Sequence, residues 1–333
     1  MKKRVVQVLV AAIGVAMLST ACVSNSGSKG SADSGTTDFP NQQMNMIVQS
    51  SAGGLSDQIS REIADLMGKD LGQTMVCQYK PGGSGAVGMS YVQASNPDGY
   101  TIGHTPVEMV MLKNLGYADL TSDDLDCLGR AYTTVGALVI KAGDDRFSTI
   151  EEFIQYAKDH PGEVKIGNAG TGSIWHLGAI GLENAAGVTF NHVPFDGSSK
   201  SIAALMGGHV DACVAAPIEL ISGVDGKELT VLATMGDERA EVFSDVPTLK
   251  ESGIDYTLIH WGGFAAPKGL DEAVRDKLVD SLEKAVNSDD FASFLAERGM
   301  EPAFLTGDEY ETFISGQTDL YKNLIDEAGL LSK

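Results

Sequence analysis

Residues 44–57 read MNMIVQSSAGGLSD and contain a strand pattern that runs directly into a glycine loop. The following residues, 58–71, place apolar side chains three and four positions apart, which is typical of the buried face of a helix. Residues 74–88, TMVCQYKPGGSGAVG, repeat the strand and the glycine loop before a second helix. A strand pattern at residues 100–103 completes the order β-α-β-α-β, which predicts an open, mostly parallel sheet covered on both faces.

The second half of the chain repeats this order with its own glycine loops. The predicted strands are residues 137–140, 164–167, 188–192, 210–215 and 229–235, and the predicted helices are residues 151–160, 175–186 and 198–206. Residues 254–265 are predicted to be extended, and three helical stretches are expected after residue 271. Because residues 39–333 are too many for one compact core, we expect an α/β fold with two lobes.

The glycine loops all lie between a strand and the helix that follows it. They are at residues 53–54, 82–83, 170–172 and 197. In open α/β sheets such loops lie at the carboxyl ends of the strands, where ligands bind. Their backbone N–H groups and helix N-termini favour an anion without a basic side chain. Any one loop is equally well interpreted as a tight turn that needs glycine, but four loops in two half-chains favour a cleft.

The N-terminus has the layout of an export signal. A basic head at residues 2–4, an apolar run at residues 5–18 and three small residues precede Cys22. We expect residues 1–21 to be a lipoprotein signal peptide and Cys22 to carry the lipid, with an ordinary cleaved signal peptide as the alternative. Residues 22–38 are rich in Ser, Gly, Thr and Asp and predict a flexible linker. The folded part is therefore expected outside the cytoplasm, in the periplasm or lipid-anchored to the outer face of the cytoplasmic membrane.

Charge and cysteine content exclude further classes. The chain has 45 acidic and 24 basic residues and a formal net charge of −21. A surface of that sign repels phosphate backbones, so we expect no nucleic-acid binding. With Cys22 assigned to the lipid, Cys77, Cys127 and Cys213 remain, which allows at most one disulfide. We expect all three to be buried and reduced.

Two motifs that would indicate an enzyme fail in detail. Residues 83–88, GSGAVG, match G-x-G-x-x-G, and Glu108 follows about 20 residues later, as in a dinucleotide site. The expected location outside the cytoplasm, and the position of Glu108 beyond Pro106, argue against a nicotinamide cofactor. Around Ser84 the hydrolase pattern G-x-S-x-G is broken by Ala86.

Other catalytic or metal-binding patterns are missing from the sequence. No nucleophile, base and orienting acid stand out, and the six histidines show neither H-x-x-x-H spacing nor a cysteine pair beside them. We therefore expect no enzymatic activity, no cofactor and no metal site. The alternative function is a secreted lipoprotein sensor, or a hydrolase that acts on a small organic acid.

Five sequence blocks carry a resemblance to a known family. The blocks are IVQSSAGGLSDQISREIADLMGKDLGQ, YKPGGSGAVG with NPDGYTIG, GNAGTGSIWHLGA, HVPFDGSSKSIAALMGGHVDACVAAPIE, and FSDVPTLKESGI with WGGFAAPKGL. In this order they resemble the extracytoplasmic substrate-binding proteins of tripartite tricarboxylate transporters, over essentially everything after residue 38. The resemblance implies a type II periplasmic-binding-protein-like fold, in which two α/β lobes are joined by crossing strands. Lobe 1 is then expected at residues 39–138 and 262–333, and lobe 2 at residues 139–261.

The resemblance also implies a ligand, a partner and a site. The ligand is a small di- or tricarboxylate or a related organic acid, the partner is a two-component integral membrane permease, and the protein is expected to act as a monomer. The implied ligand-binding residues are Ala52, Gly53, Gly54, Leu55, Ser56, Asp57, Ser84, Thr105, Ala169, Gly170, Thr171, Gly172, Ser173, His176, Phe195, Asp196, Gly197, Ala216 and Pro217.

Two departures from the family pattern leave the ligand's identity open. The family usually has a proline pair before the two glycines, where this chain has Ser50-Ser51-Ala52, and many members have Tyr-Lys-Gly where this chain has Phe195-Asp196-Gly197. The second change replaces a cation by an anion at the rim. Asp57 has two interpretations: it caps the first helix, or it accepts a hydrogen bond from an amino or hydroxyl group of the ligand.

Overall fold

The structure is a computed structural model that describes residues 39–332. The predicted signal peptide at residues 1–21, the predicted lipid attachment at Cys22 and the linker up to residue 38 lie outside the described residues. Between residues 39 and 332, no helix is both long and apolar enough to cross a membrane.

Strands and helices alternate along most of the described chain. The strands are β1 Met44–Val48, β2 Met75–Tyr79, β3 Thr101–Pro106, β4 Leu125–Val135, β5 Ala137–Lys141, β6 Lys165–Asn168, β7 Asn191–Pro194, β8 Ala212–Ala215, β9 Leu229–Thr234, β10 Ile259–Pro267 and β11 Glu301–Leu305. The helices are α1 Leu55–Leu71, α2 Ala86–Gln93, α3 Ile150–Asp159, α4 Ile174–Ala186, α5 Ser198–Met206, α6 Pro217–Asp225, α7 Glu272–Val286, α8 Asp289–Ala296 and α9 Gly307–Glu327.

The first lobe is built on a six-stranded sheet with the order β11-β4-β10-β3-β1-β2. β1 pairs in parallel with both β2 and β3, as the β-α-β-α-β pattern predicts. The expectation of a mostly parallel sheet is nevertheless wrong for this lobe as a whole, because β10 runs antiparallel to β3 and β4, and β11 runs antiparallel to β4. The reason is that the chain returns to this sheet from the second lobe and then turns back on itself.

The second lobe is built on a five-stranded sheet with the order β7-β6-β8-β5-β9. β6 is parallel to β7 and β8, whereas β5 is antiparallel to β8 and β9. Both lobes therefore share one plan, in which a parallel βαβ core is joined to antiparallel strands near the crossing. The fold class of residues 39–332 is α/β with two sheets.

The two chain segments that connect the lobes meet at Gly136. This residue separates β4 in the first sheet from β5 in the second. Its N–H donates to the Leu258 carbonyl (3.1 Å) and its carbonyl accepts from the Met235 N–H (2.8 Å). A Cβ at Gly136 would lie 2.9 Å from side-chain atoms of both Leu258 and Met235. The crossing therefore packs closely, and a larger residue at position 136 would have to displace the ends of the Leu258 and Met235 side chains.

The core follows the sequence pattern in the first βα unit. Ile59, Ile63 and Met67 on one face of α1 are fully buried, and so are Met44 and Met46 in β1. Each such side chain contributes about 1.5–3 kcal/mol relative to an exposed one.

Within residues 39–332 all three cysteines are free, as expected, and no disulfide forms. Cys213 is buried, but Cys77 and Cys127 are only partly buried, so the expectation of full burial is wrong for these two. Burial still raises the pKa of the Cys77 thiol to about 11, which keeps it protonated at neutral pH.

Candidate functional site

A cavity of about 370 Å3 lies between the lobes, at the carboxyl ends of β1, β3 and β6. Neither lobe contributes a Lys or Arg side chain to its lining. The first lobe contributes Gln49, Ser50, Leu55, Ser56, Pro81, Gly82, Gly83, Ser84, Gly85, Glu108, Tyr117 and His260, and the second contributes Ala169, Gly170, Thr171, Ser173, Trp175, Pro194, Phe195, Asp196, Gly197 and Ser198.

A buried hydrogen-bond chain orients the hydroxyl of Ser56 at this cavity. His104 is fully buried between Tyr132 Oη (3.0 Å from Nε2) and Gln49 Oε1 (3.2 Å from Nδ1), and Gln49 Nε2 donates to Ser56 Oγ (2.8 Å). Burial lowers the pKa of His104 to about 3, so the ring is neutral.

The direction of this chain follows from its chemistry. The amide oxygen of Gln49 only accepts, so Nδ1 of His104 carries the proton and Nε2 accepts from Tyr132. Because Ser56 Oγ already accepts from the Gln49 amide, its own hydrogen remains available. Ser56 therefore presents a donor to the cavity, which suits an anionic or carbonyl oxygen.

The loop before α2 has an unusual backbone. Gly82, Gly83, Ser84 and Gly85 all have positive φ values, of 127°, 57°, 50° and 95°. For Ser84 this left-handed conformation costs about 1 kcal/mol. It is compensated by a contact between the lobes, since Ser84 Oγ donates to the Thr171 carbonyl (3.0 Å). The glycines of this motif therefore serve a turn that lines the cavity.

Two glutamates reach across the cavity in opposite directions. Glu108, in the turn after β3 of the first lobe, accepts from the Ile174 N–H at the start of α4 in the second lobe (3.1 Å). Glu219, in α6 of the second lobe, accepts from the Leu55 N–H at the start of α1 in the first lobe (2.9 Å). Each carboxylate thus occupies the positive end of a helix in the other lobe.

Both carboxyl groups are affected by burial. Burial raises the pKa of Glu108 to about 7, and the nearby charge of Glu219 contributes to that rise. Burial also raises the pKa of Glu219, against the hydrogen bonds that it accepts from the Ser198 hydroxyl and from backbone N–H groups.

Aromatic rings form one wall of the cavity. The Trp175 indole stacks on the His260 ring with centroids 5.2 Å apart and an angle of 14° between their planes. Burial lowers the pKa of His260 to about 3, so it is a neutral wall residue. Tyr117 closes the side of the cavity by donating from its hydroxyl to the Thr171 carbonyl (2.9 Å).

The structure brings about half of the predicted ligand residues to this cavity. Those that line it are Leu55, Ser56, Ser84, Ala169, Gly170, Thr171, Ser173, Phe195, Asp196 and Gly197. Those that lie outside its lining are Ala52, Gly53, Gly54, Asp57, Thr105, Gly172, His176, Ala216 and Pro217. The glycine loops meet as expected: a Cβ on Gly170 would lie 2.9 Å from Ser84 Oγ, and one on Gly54 would lie 3.1 Å from Glu219 Oε1.

In the described part of the chain, the Asp57 carboxylate contacts only neighbouring groups of the first lobe. It accepts from the Gly53 N–H (2.6 Å) and the Tyr79 hydroxyl (2.7 Å), and it pairs with Arg61 (3.2 Å). The side chain therefore fixes the loop that leads into α1. It does not cap the helix as predicted, because the N-cap residue is Gly54 and the Asp57 carboxylate accepts from the Gly53 N–H instead of from a first-turn N–H group. His176 is also turned to its own loop, where Nδ1 accepts from the Gly172 N–H (3.0 Å).

Several lining residues were not predicted. Gln49, Tyr117, Trp175 and His260 carry no motif, and only their positions next to strand ends or glycine loops could have indicated them. In the sequence, Glu108 stands out only through its spacing from a dinucleotide-like motif, which does not indicate a place in this cavity. Within residues 39–332, no group of three or more His, Cys, Asp or Glu side chains is arranged to hold a metal ion.

Comparisons with known proteins agree with this geometry. A family model described as "Tripartite tricarboxylate transporter family receptor" matches residues 59–330. The chain is 33% identical over 295 residues to a Cupriavidus necator protein described as "UPF0065 protein in gbd 5'region". This match covers 88% of this chain and 89% of that protein.

Solved structures share the fold. The periplasmic binding protein BugD is similar with a TM-score of 0.84 and 26% identity, over 89% of this chain and 100% of that chain. An R. palustris protein solved with adipate is similar with a TM-score of 0.83 and 24% identity, over 88% of this chain and 99% of that chain. At 24% identity, the likeness to the R. palustris protein shows a shared fold alone.

Proposed function

Since this chain belongs to the tripartite tricarboxylate transporter receptor family, we propose that it captures a small carboxylate in the cavity between its lobes and delivers it to a two-component integral membrane permease. The family is one of substrate-binding receptors, and the chain accordingly binds its ligand without converting it. The lobes that close on the ligand follow the predicted division into residues 39–138 with 262–333 and residues 139–261, with its boundaries moved to Gly136 and Leu258, where the two sheets separate.

The observation that carries this proposal is the Ser56 hydroxyl. It is held as a donor by the chain of buried groups that ends at Gln49 (2.8 Å). A donor of this kind binds a carboxylate oxygen without the desolvation cost of a buried cation. The net charge of −21 does not prevent such binding, because charges on the outer surface are screened over about 8 Å at physiological salt.

The proposed ligand contacts are the predicted residues that line the cavity. Ser56 and Ser84 contribute from the first lobe, and Ser173 contributes from the N-terminus of α4. The ligand is enclosed by residues 169–171 and 195–197 of the second lobe. Contacts from both lobes are what closure on a ligand requires.

Calorimetric titration of the mature protein with succinate, malate, adipate and citrate tests this function. We expect at least one of these acids to bind, and Ser56→Ala to weaken that binding by about 10- to 100-fold, because a hydrogen bond to a charged group is lost. Ser60→Ala is the matched control: Ser60 is a buried serine of the same helix that lies outside the cavity lining. The proposal fails if none of the acids binds, or if the two variants bind equally well.

We further propose that Cys22 carries a lipid and holds the protein at the membrane outside the cytoplasm. The support is the basic head, the apolar run of residues 5–18 and the small residues before Cys22. Cys22→Ala should release the protein from the membrane fraction or leave it unprocessed. Cys77→Ala, which changes a cysteine inside the fold, should stay with the membranes. Equal membrane association of both variants would contradict lipid attachment at Cys22.

A further inference from the structure

The cavity contains a buried carboxyl group that lacks a cationic partner. Glu108 is 8% exposed and lines the cavity. Its Oε1 accepts from the Ile174 N–H of the opposite lobe (3.1 Å). Among residues 39–332, no Lys or Arg side chain lies within ion-pair distance of it.

A buried carboxylate in this state is incompletely compensated. Removing an ionised carboxyl group from water costs several kcal/mol unless a cation and further donors replace the water. One backbone N–H and a helix N-terminus supply part of that compensation. The remaining part comes either from protonation of the carboxylate or from a cationic group of the ligand, because the lining contains no Lys or Arg side chain.

The surroundings of Glu108 favour a positively charged group. Trp175 and Tyr117 add aromatic surface to the cavity wall, and aromatic rings attract cations. The Ser56 hydroxyl supplies a donor for an anionic group elsewhere in the same cavity. One cavity therefore offers an acceptor with negative charge and a neutral donor.

We infer that Glu108 is a specificity-determining residue, which selects a carboxylate ligand that also carries a positively charged nitrogen, such as an amino acid or another amino-substituted organic acid. The inference rests on the proposed function and narrows its ligand class. In the complex the ammonium group donates to the Glu108 carboxylate, and the ligand carboxylate accepts from Ser56. An uncharged Glu108 that donates to the second carboxyl group of a plain dicarboxylate is the competing arrangement.

Calorimetric titration with matched acids separates the two arrangements. The pairs are succinate with aspartate, glutarate with glutamate, and adipate with 2-aminoadipate, each titrated into wild type, Glu108→Gln, Glu108→Asp and Glu163→Gln. In wild type, we expect an amino member to bind at least about ten times more tightly than its plain partner. Glu108→Gln should abolish this preference by weakening the amino member, whereas Glu108→Asp, which keeps the charge, should retain it.

Glu163→Gln is the control for a general effect of negative charge. Glu163 is an exposed residue outside the cavity lining, so removing its charge should change either affinity by less than about threefold. Plain acids that bind wild type as tightly as their amino partners would overturn the inference and leave the proposed function intact. Binding of neither kind of acid would remove the proposed function itself. The ratio of the amino-acid and plain-acid affinities of wild type tests the inference even where a Glu108 variant does not fold.

Discussion

The Glu108 carboxyl group makes the stability of the protein depend on pH. Its pKa is raised to about 7 by burial, against an ordinary value of 4.5. Below pH 4.5 the group is protonated in both the folded and the unfolded protein, so it costs nothing. Between pH 4.5 and about 7 the unfolded chain ionises this carboxyl group while the folded protein keeps it protonated, so stability is lost over that window and stays lower above it. We therefore expect Glu108→Gln to raise the free energy of unfolding relative to wild type, and to do so by about 2 kcal/mol more at pH 8 than at pH 5.

Urea unfolding of the ligand-free protein at the two pH values measures this difference. The groups that face Glu108 do not obscure it: burial raises the pKa values of Tyr132 and Tyr321 and lowers that of His260 to about 3, so all three stay neutral between pH 5 and 8. Glu219 also has a raised pKa, but it is present in both proteins. A gain from Glu108→Gln that is equal at pH 5 and pH 8 would contradict the raised pKa.

Two acidic residues illustrate what the sequence can predict about the site. Asp57 stands beside a glycine loop and was therefore a natural ligand candidate, yet its partners Gly53, Tyr79 and Arg61 hold it in a local structural role. Glu108 lines the cavity only because the second lobe brings Ile174 to it, 66 positions along the chain. Local pattern indicates which loops meet, but the direction of a side chain depends on contacts between distant segments.

At the level of elements, a regular spacing of apolar residues was sufficient to predict the bounds of a helix. The helix predicted at residues 198–206 is α5 with the same bounds. The strands β4 and β11 were missed for physical reasons. β4 has the sequence LDCLGRAYTTV, in which polar and apolar residues do not alternate regularly, and its burial comes from two neighbouring strands. β11 contains Pro302, which argues against a strand but is tolerated at the edge of a sheet.

The packing of α2 depends on one helical glycine. A Cβ at Gly88 would lie 2.6 Å from the Cα of Gln49 and 3.1 Å from the Lys80 carbonyl oxygen, which are backbone atoms that cannot turn away. Gly88→Ala should therefore push α2 from β1 and displace Gln49, whose amide orients Ser56. We expect a loss of about 1–3 kcal/mol in the free energy of unfolding, together with weaker ligand binding.

A second helical glycine provides the control. Gly316 in α9 has no atom within 4 Å of the position that a Cβ would take. Gly316→Ala should leave ligand binding unchanged and should stabilise the protein by about 0.5–1 kcal/mol, because alanine restricts the unfolded chain. Denaturant unfolding and calorimetric titration of both variants measure the two effects. Equal stability of the two variants would show that α2 is not held by this close approach.

The two lobes of residues 39–332 are in a closed arrangement. Hydrogen bonds join the lobes at several points around the cavity. They run from Ser51 Oγ to the Asp196 carbonyl (2.7 Å), from Ser84 Oγ to the Thr171 carbonyl (3.0 Å), from the Leu55 N–H to Glu219 (2.9 Å) and from the Ile174 N–H to Glu108 (3.1 Å). Most of these groups can bond to water instead when the lobes separate. The free-energy difference between the open and closed forms is therefore small enough for a ligand to reverse it.

We expect the ligand-free protein to be more open than the loaded one. Small-angle scattering with a bound carboxylate should give a radius of gyration near that of a compact domain of this length, about 19 Å, and a larger value without it. Glu219→Ala removes the acceptor of the Leu55 N–H and should favour the open form. The loaded variant should still reach the compact form but bind about tenfold more weakly, because closure then costs part of the binding free energy.

Glu163→Ala is the control for that variant, since Glu163 is an exposed residue between α3 and β6 and has no contact with the cavity lining. It should scatter and bind as wild type does. The segments through Gly136 and Leu258 would act as the hinge, because they are where the chain crosses between the sheets. Identical scattering from empty and loaded wild type would exclude closure. In that case, the contacts between Glu219 and Leu55 would be a permanent part of one rigid body.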